Sequence, residues 1–307
     1  MKTVVSCVDK FEQLCPVAAA ALNAHGWTLI DNLHGYPYDF TRYQEALSQA
    51  DVVIAGIEQW NAKRFELVPN LRMIVRFGTG VDTIDQQEAH VRGIEIRRVI
   101  DGNTNAVAEQ TIALMYGLLK HIAELDRTTK QGLWYRPMCQ ELSGKTVGFL
   151  GFGRIAQAVA AKLQTSDVEM VAYDVLPNQE AADRYSVKLQ SLEDVLGHSD
   201  IVSLHLPLTH VTEGLLDETR LVSMKPGALL INTARGKLID QKALVEQVLN
   251  GHLGGAALDV FDEQPLSAVN NLAVLDRIVC SPYISSRTEE SMSRTGATVV
   301  SHIQSLL

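Results

Sequence analysis

Apolar residues recur in this chain as short dense runs, separated by stretches in which they return every third or fourth position. The runs Thr3–Val8, Trp27–Leu33, Asp51–Gly56, Leu71–Phe77 and Ile94–Ile100 have the length and composition of buried strands. Between them the pattern predicts helices over Phe11–Ala24 (interrupted at Pro16, ended by Gly26), Tyr43–Ala50, Lys63–Val68 and Asp82–Arg92. A longer periodic segment begins at Asn103. Its apolar face (Val107, Thr111, Leu114, Leu118, Ile122, Leu125) predicts one helix bridging two domains. Residues 131–143, with Gly132, Trp134 and Pro137, read as a loop. A second series of runs follows: Thr146–Leu150, Val168–Asp174, Asp200–Pro207, Gly227–Ala234, Gly255–Phe261 and Arg277–Cys280. Helices are expected after Gly153, from the capping box Ser191–Asp194, over Asp217–Met224, from Asp240 to Asn250, and over Thr288–Leu307. The polar stretch Pro177–Arg184 receives no element. Strands alternating with helices at this spacing predict an α/β protein with parallel sheets covered on both faces.

One stretch, Lys145 to Asp174, carries the first chemical signal. A buried strand runs into Gly151-Phe-Gly153-Arg-Ile-Ala156. A helix with Ile155, Val159 and Leu163 on one face follows, and then a second strand ends in Asp174. This is the context a dinucleotide fingerprint requires. Gly151 permits the tight turn, Gly153 lets a diphosphate approach the helix N-terminus, and Asp174 can accept from the ribose hydroxyls. A 2′-phosphate would meet the Asp174 carboxylate, and Val175-Leu176 offer no cation, so NAD is expected rather than NADP.

Composition narrows the remaining classes. The 307 residues suffice for two domains, and 46% are apolar against 21% charged. A net charge of -9 without a basic stripe argues against nucleic acid. No run is long enough to span a membrane and no signal-peptide pattern is present, so a cytoplasmic location is expected. Cys7, Cys15, Cys139 and Cys280 lack metal or redox spacing, and no His/Cys/Asp/Glu cluster predicts a metal.

Ligands of open parallel sheets bind beyond the carboxyl ends of the strands. The residues expected there are Gly78-Thr79-Gly80, Gly151 to Arg154, Asp174, His205 to Pro207, Thr233-Ala234-Arg235, Asp259 and Pro282-Tyr283. Arg235, directly after an apolar strand and followed by Gly236, can present a planar fork to a carboxylate or polarise a carbonyl. Equally, it can cap the strand or pair with a surface acid.

Six segments together resemble the D-2-hydroxyacid dehydrogenase family, in its phosphoglycerate-dehydrogenase-like branch. They are Arg76–Asp82, Asn103–Glu109, Glu141–Ala156, Ser203–Thr209, Ile231–Gly236 and Ala257–Phe261. They occur in family order and span nearly the whole chain. The resemblance implies two doubly wound domains, with a Rossmann cofactor domain (103–283) inserted in a flavodoxin-like substrate domain (1–102 and 284–307). It implies NAD held by Gly151, Gly153, Arg154, Ile155, Asp174, Thr104, His205, Pro207, Thr212, Thr233 and Ala234, with Asp259 near the nicotinamide amide. For the substrate it implies Gly78, Thr79, Gly80 and Asn103, with Arg235 on its carboxylate and carbonyl. A homodimer through the cofactor domain, with Asn103–Trp134 as contact, is implied as well.

Two positions depart from the family pattern. Its glutamate before a proline is here Gln264, preceding Pro265, and its histidine after a proline is Tyr283, following Pro282. The family histidine, kept protonated by the glutamate, delivers the proton while hydride arrives. Here a neutral amide stands beside a phenol, and no carboxylate is left buried without its imidazolium. A phenol is a chemically reasonable general acid. The sequence is therefore compatible with three activities. One is NAD-dependent interconversion of a 2-keto acid and a D-2-hydroxy acid with Tyr283 as proton donor. Another is hydride abstraction from a small oxyanion that needs no relay, and the third is NAD(H) binding as a sensor or scaffold without turnover. Glu58 stands where phosphoglycerate enzymes of the family carry basic residues, which argues against a phosphorylated substrate. Trp60 and Tyr135 are candidates for an apolar pocket or for packing.

Overall fold

The computed structural model describes residues 2–267 and 270–306 and divides them into two units, one made of the residues up to Asn103 with those from Ser286 on, the other of Thr104–Ser285. In the first unit, five strands lie parallel: β1 (Lys2–Asp9), β2 (Trp27–Asn32), β3 (Val52–Ala55), β4 (Met73–Arg76) and β5 (Glu95–Arg98), in the order β2-β1-β3-β4-β5. β3 and β4 are buried at every position, as expected where helices cover both faces of a parallel sheet. One face packs on Phe11, Leu22 and the C-terminal helix Glu289–Gln304, the other on Leu47, Trp60 and Phe65. The C-terminal helix is capped by Thr288, whose hydroxyl accepts from the Ser291 N–H. Leu307, the end of the predicted helix, lies outside the described residues.

The second unit has seven parallel strands: β6 (Thr146–Leu150), β7 (Glu169–Tyr173), β8 (Val187–Leu189), β9 (Ile201–Leu204), β10 (Leu229–Asn232), β11 (Gly255–Leu258) and β12 (Ile278–Cys280). Their order is β12-β11-β10-β9-β6-β7-β8. The chain winds one way from β6 to β8 and the other way from β9 to β12, so the order reverses between β6 and β9. That is the position at which open α/β sheets bind ligands.

Three elements differ from the sequence expectation. The predicted bridging helix is two helices, Thr104–Leu119 and Ile122–Lys130, because His121 adopts a left-handed backbone (φ 54°). The apolar repeat runs through the break, but burial does not: Leu114 and Leu118 are in the core, whereas Ile122 is exposed. The polar stretch contains a helix, Gln179–Arg184, with Asn178 as N-cap, and Ala181 and Ala182 are its buried face. β8 has three residues and follows Ser186 at φ 57°, too short for a periodic signal. At Pro16 the first helix also divides. Proline has no N–H to donate and stands at the first position of Pro16–Ala24.

Candidate active site

The glycine turn after β6 is shaped by its neighbour strand. Gly151 has φ +91°, and a Cβ there would lie 2.8 Å from the backbone carbonyl carbon and oxygen of His205. Only glycine satisfies both the conformation and the approach of β9. Gly153 is exposed, a Cβ on it would meet nothing within 4 Å, and it begins the ten-residue helix Arg154–Leu163 without a side-chain cap. Such an uncapped N-terminus beside open space fits a diphosphate. Asp174, at the end of β7, accepts from the Phe152 N–H at 2.6 Å through one oxygen and from the Leu176 N–H at 2.9 Å through the other. The carboxylate therefore ties down the glycine turn, and each oxygen keeps a second acceptor site for a ribose hydroxyl.

At the end of β9, the His205 ring lies 2.9 Å from the Ser203 hydroxyl and 5.9 Å from the Phe149 ring centroid. Its burial pushes the imidazole down to about 3, so it is neutral at physiological pH. Pro207 and Thr212 belong to the loop that follows. The Thr212 hydroxyl donates to the Pro207 carbonyl at 2.6 Å and accepts from the Thr209 N–H, which closes that loop on itself.

β10 ends in Asn232, fully buried, which builds the next turn. Its amide donates to the Arg235 carbonyl at 2.8 Å and its oxygen accepts from the Ala234 N–H at 3.0 Å. Thr233 faces the helix Thr104–Leu119, its hydroxyl 3.1 Å from that of Thr111. Arg235 is extended and half-buried, and its guanidinium donates to the Ala234 carbonyl at 2.7 Å. Gly236 presses against the next strand's exit: a Cβ there would run into the Phe261–Asp262 peptide. The arginine turn and the loop carrying Gln264, whose bond to Pro265 is cis, are thus in backbone contact.

Asp259, which ends β11, is 2% exposed. One oxygen accepts from the Ser281 hydroxyl (2.5 Å) and the Ile284 N–H (2.9 Å), the other from the Ser285 hydroxyl (2.5 Å) and the Ser285 N–H (3.0 Å). Four donors fill the in-plane acceptor sites of a carboxylate. The expected contact with the nicotinamide amide would have to compete with this clamp. The clamp encloses Tyr283, which takes a left-handed backbone (φ 55°) and donates its N–H to the Asp259 and Ser281 carbonyls, both at 3.0 Å. Among the described residues the Tyr283 hydroxyl has no protein partner.

In the first unit, Gly78-Thr79-Gly80 follows β4 as expected. Gly78 has φ +144° and donates its N–H to the Arg76 carbonyl. The Thr79 hydroxyl donates to the Val99 carbonyl at 3.0 Å. Trp60 is 1% exposed and packs on Phe65, with its indole N–H donating to Glu58, so it belongs to the core and does not line an open pocket. Asn103 closes the first unit's N-terminal segment and Thr104 opens the second. Among the described residues no group of His, Cys, Asp and Glu could hold a metal. Nor is any helix among them long and apolar enough to cross a membrane.

A family model described as "D-isomer specific 2-hydroxyacid dehydrogenase, NAD binding domain" matches residues 112–285. The chain belongs to this family. It is 39% identical over 249 residues to a glyoxylate reductase of Thermofilum pendens, covering 76% of this chain and 71% of the relative. It is 36% identical over 254 residues to a D-3-phosphoglycerate dehydrogenase of Archaeoglobus fulgidus, covering 82% of this chain. The chain spans about half (48%) of that relative's length. A solved NAD-dependent formate dehydrogenase from Staphylococcus aureus, in complex with NAD, superposes with a TM-score of 0.87 at 28% identity, over 100% of this chain and 95% of that one.

Four residues that shape these sites were not singled out by sequence reasoning. Asn232 carried a signal, a polar residue closing an otherwise apolar run, which suits an Asx-type turn. Ser281 and Ser285 carried none, since serines in a segment around a proline read as loop. Arg76 lay inside the expected strand Leu71–Phe77 and opened the family-like segment Arg76–Asp82, with nothing to show that it is 5% exposed.

Proposed function

We propose that this dehydrogenase-family chain reduces a small, unphosphorylated 2-keto acid to the D-2-hydroxy acid with NADH, or runs the reverse oxidation. Bound NADH supplies the hydride. Arg235 holds the substrate carboxylate and polarises the ketone oxygen, which lowers the cost of negative charge developing there. Gly78-Thr79-Gly80 hold a carboxylate through backbone N–H groups. Tyr283 passes its phenolic proton to the ketone oxygen as the hydride reaches the carbon, and regains a proton from water. Gln264 stands at the acid position as a neutral partner.

The observation that carries this reading is the clamp on Tyr283. A tyrosine held in a costly left-handed backbone by a buried carboxylate, its hydroxyl without a protein partner among the described residues, is a group fixed for use. A substrate without phosphate is supported by Glu58. This buried acid at the end of β3 accepts from the Gly56 N–H (3.0 Å) and the Trp60 indole (2.8 Å). A homodimer through the second unit is supported by the loop after Lys130, where Trp134 is 85% and Met138 91% exposed.

Steady-state NADH oxidation with unphosphorylated 2-keto acids, beginning with glyoxylate, tests the proposal. Tyr283→Phe is expected to reduce kcat by ~10²–10⁴ with NADH affinity unchanged. An unchanged kcat would remove Tyr283 from the mechanism. Tight NADH binding without turnover on any keto acid would favour a binding protein over an enzyme, and oxidation of formate alone would favour hydride abstraction without a relay.

A further inference from the structure

Arg76 closes β4 with its side chain turned under the turn that follows. It is 5% exposed, and among the described residues no carboxylate lies within ion-pair distance of it. Its Nε donates to the Gly80 carbonyl at 2.9 Å, and its Nη1 to the Phe77 carbonyl at 3.0 Å and the Ala55 carbonyl at 3.4 Å. The Gly78 carbonyl is occupied as well, accepting from the Val99 N–H at 3.1 Å. Each of the carbonyls of residues 77, 78 and 80 is therefore engaged within the protein. The N–H groups of Thr79 and Gly80, by contrast, have no protein acceptor among the described residues.

A guanidinium buried without a counter-ion is costly, because carbonyl dipoles replace only part of its hydration. Here the cost comes beside a turn whose Thr79 and Gly80 N–H groups have no protein acceptor among the described residues. An anion that settles on those N–H groups is also drawn to the nearby charge of the buried Arg76. We propose that Arg76 is a positioning residue for substrate binding, which fixes the 78–80 turn and supplies the counter-charge for a carboxylate bound there. This rests on the reading of the turn as a carboxylate site. It gives the first unit its own selectivity for an anionic carboxylate over a neutral ester or amide, independent of Arg235.

The test uses the full chain loaded with NADH. Oxamate is titrated against methyl oxamate, which keeps the carbonyl and lacks the carboxylate, with NADH fluorescence as readout. Wild type is expected to prefer oxamate. Arg76→Gln is expected to weaken oxamate by about 10–100-fold, the range for losing charge-assisted hydrogen bonding, with NADH and methyl oxamate affinities unchanged and KM raised more than kcat is lowered. Arg76→Lys keeps the charge and is expected to retain most of the preference. It also decides the question should Arg76→Gln not fold. Equal weakening of both analogues in Arg76→Gln, or loss of the preference in Arg76→Lys, would assign Arg76 a purely structural role. A wild-type preference fully retained in Arg76→Gln overturns the inference alone. A wild type without any preference overturns the carboxylate reading and the inference with it.

Discussion

Asp259→Asn tests how Tyr283 is held, and its size follows from the hydrogen bonds. Each Asp259 oxygen accepts one backbone N–H and one serine hydroxyl. An asparagine must present its NH2 to one of these pairs. The serine can rotate its hydroxyl to accept, but the backbone N–H of Ile284 or Ser285 cannot. Either orientation strands one buried donor, at roughly 1–3 kcal/mol. The remaining bonds lose charge assistance, and the two hydroxyl contacts at 2.5 Å are of the short, ionised-acceptor kind. The sum is a loss of about 2–4 kcal/mol. Urea unfolding followed by tryptophan fluorescence would measure it, with NADH affinity and kcat recorded on the same variant. The expected pattern is lower stability, lower kcat and unchanged NADH affinity. A stability change below about 0.5 kcal/mol combined with weaker NADH binding would refute the clamp and place Asp259 at the nicotinamide instead.

Gly151→Ala should abolish NADH binding in fluorescence titrations and lower the unfolding midpoint, since a methyl would enter the His205 carbonyl from a backbone at φ +91°; normal binding would disprove the fit. His205 gives a pH-dependent stability. Its folded value, about 3, lies below the unfolded value of about 6.5. Between these values the unfolded chain binds the extra proton, so this contribution is complete above about pH 6.5 and is lost as pH falls toward 3, by up to ~1.4 kcal/mol per pH unit. His205→Gln should flatten that slope in urea melts at stepped pH, and an unaltered slope would show that the imidazole is solvated.

Much of the fold was legible because each strand is an apolar run and each turn carries its own punctuation. Gly151, Asp174, Arg235 and Asp259 each follow a strand in the structure, as the spacing implied. Elements without periodicity were not legible: the three residues of β8, and the helix Gln179–Arg184, whose buried face is two alanines. The break at His121 was hidden for the opposite reason. The apolar repeat continues past it, and only the exposure of Ile122 shows that the covering sheet has ended. In the site, residue types were readable and their partners were not. Asp259 is legible as an acid at a strand end, but four donors from a loop more than twenty residues later decide what that acid can do. Arg76 is a similar case, because its burial under residues 77–80 depends on a glycine conformation that a sequence pattern does not specify.

The changed relay and the clamp together bear on how the rate responds to pH. In the family pattern a carboxylate holds an imidazolium, and reduction fades as pH rises through the histidine's ionisation. Here Gln264 is neutral, Glu263 and Asp262 are exposed, and the buried acid of these strand ends, Asp259, is spent on the Tyr283 loop. Position 264 carries no carboxylate, and the proposed mechanism needs none there, because a phenol gives up its proton from a neutral state and leaves no buried cation to balance. The imidazole at these strand ends, His205, ionises only near 3. Reduction by the proposed mechanism should therefore show no imidazole-type decline in kcat between about pH 5 and 8. Restoring the family pair, Gln264→Glu with Tyr283→His, should introduce that decline. A bell or falling limb in the unmodified chain across this window, abolished by replacing a histidine, would mean that an imidazole still delivers the proton and that Tyr283 does not.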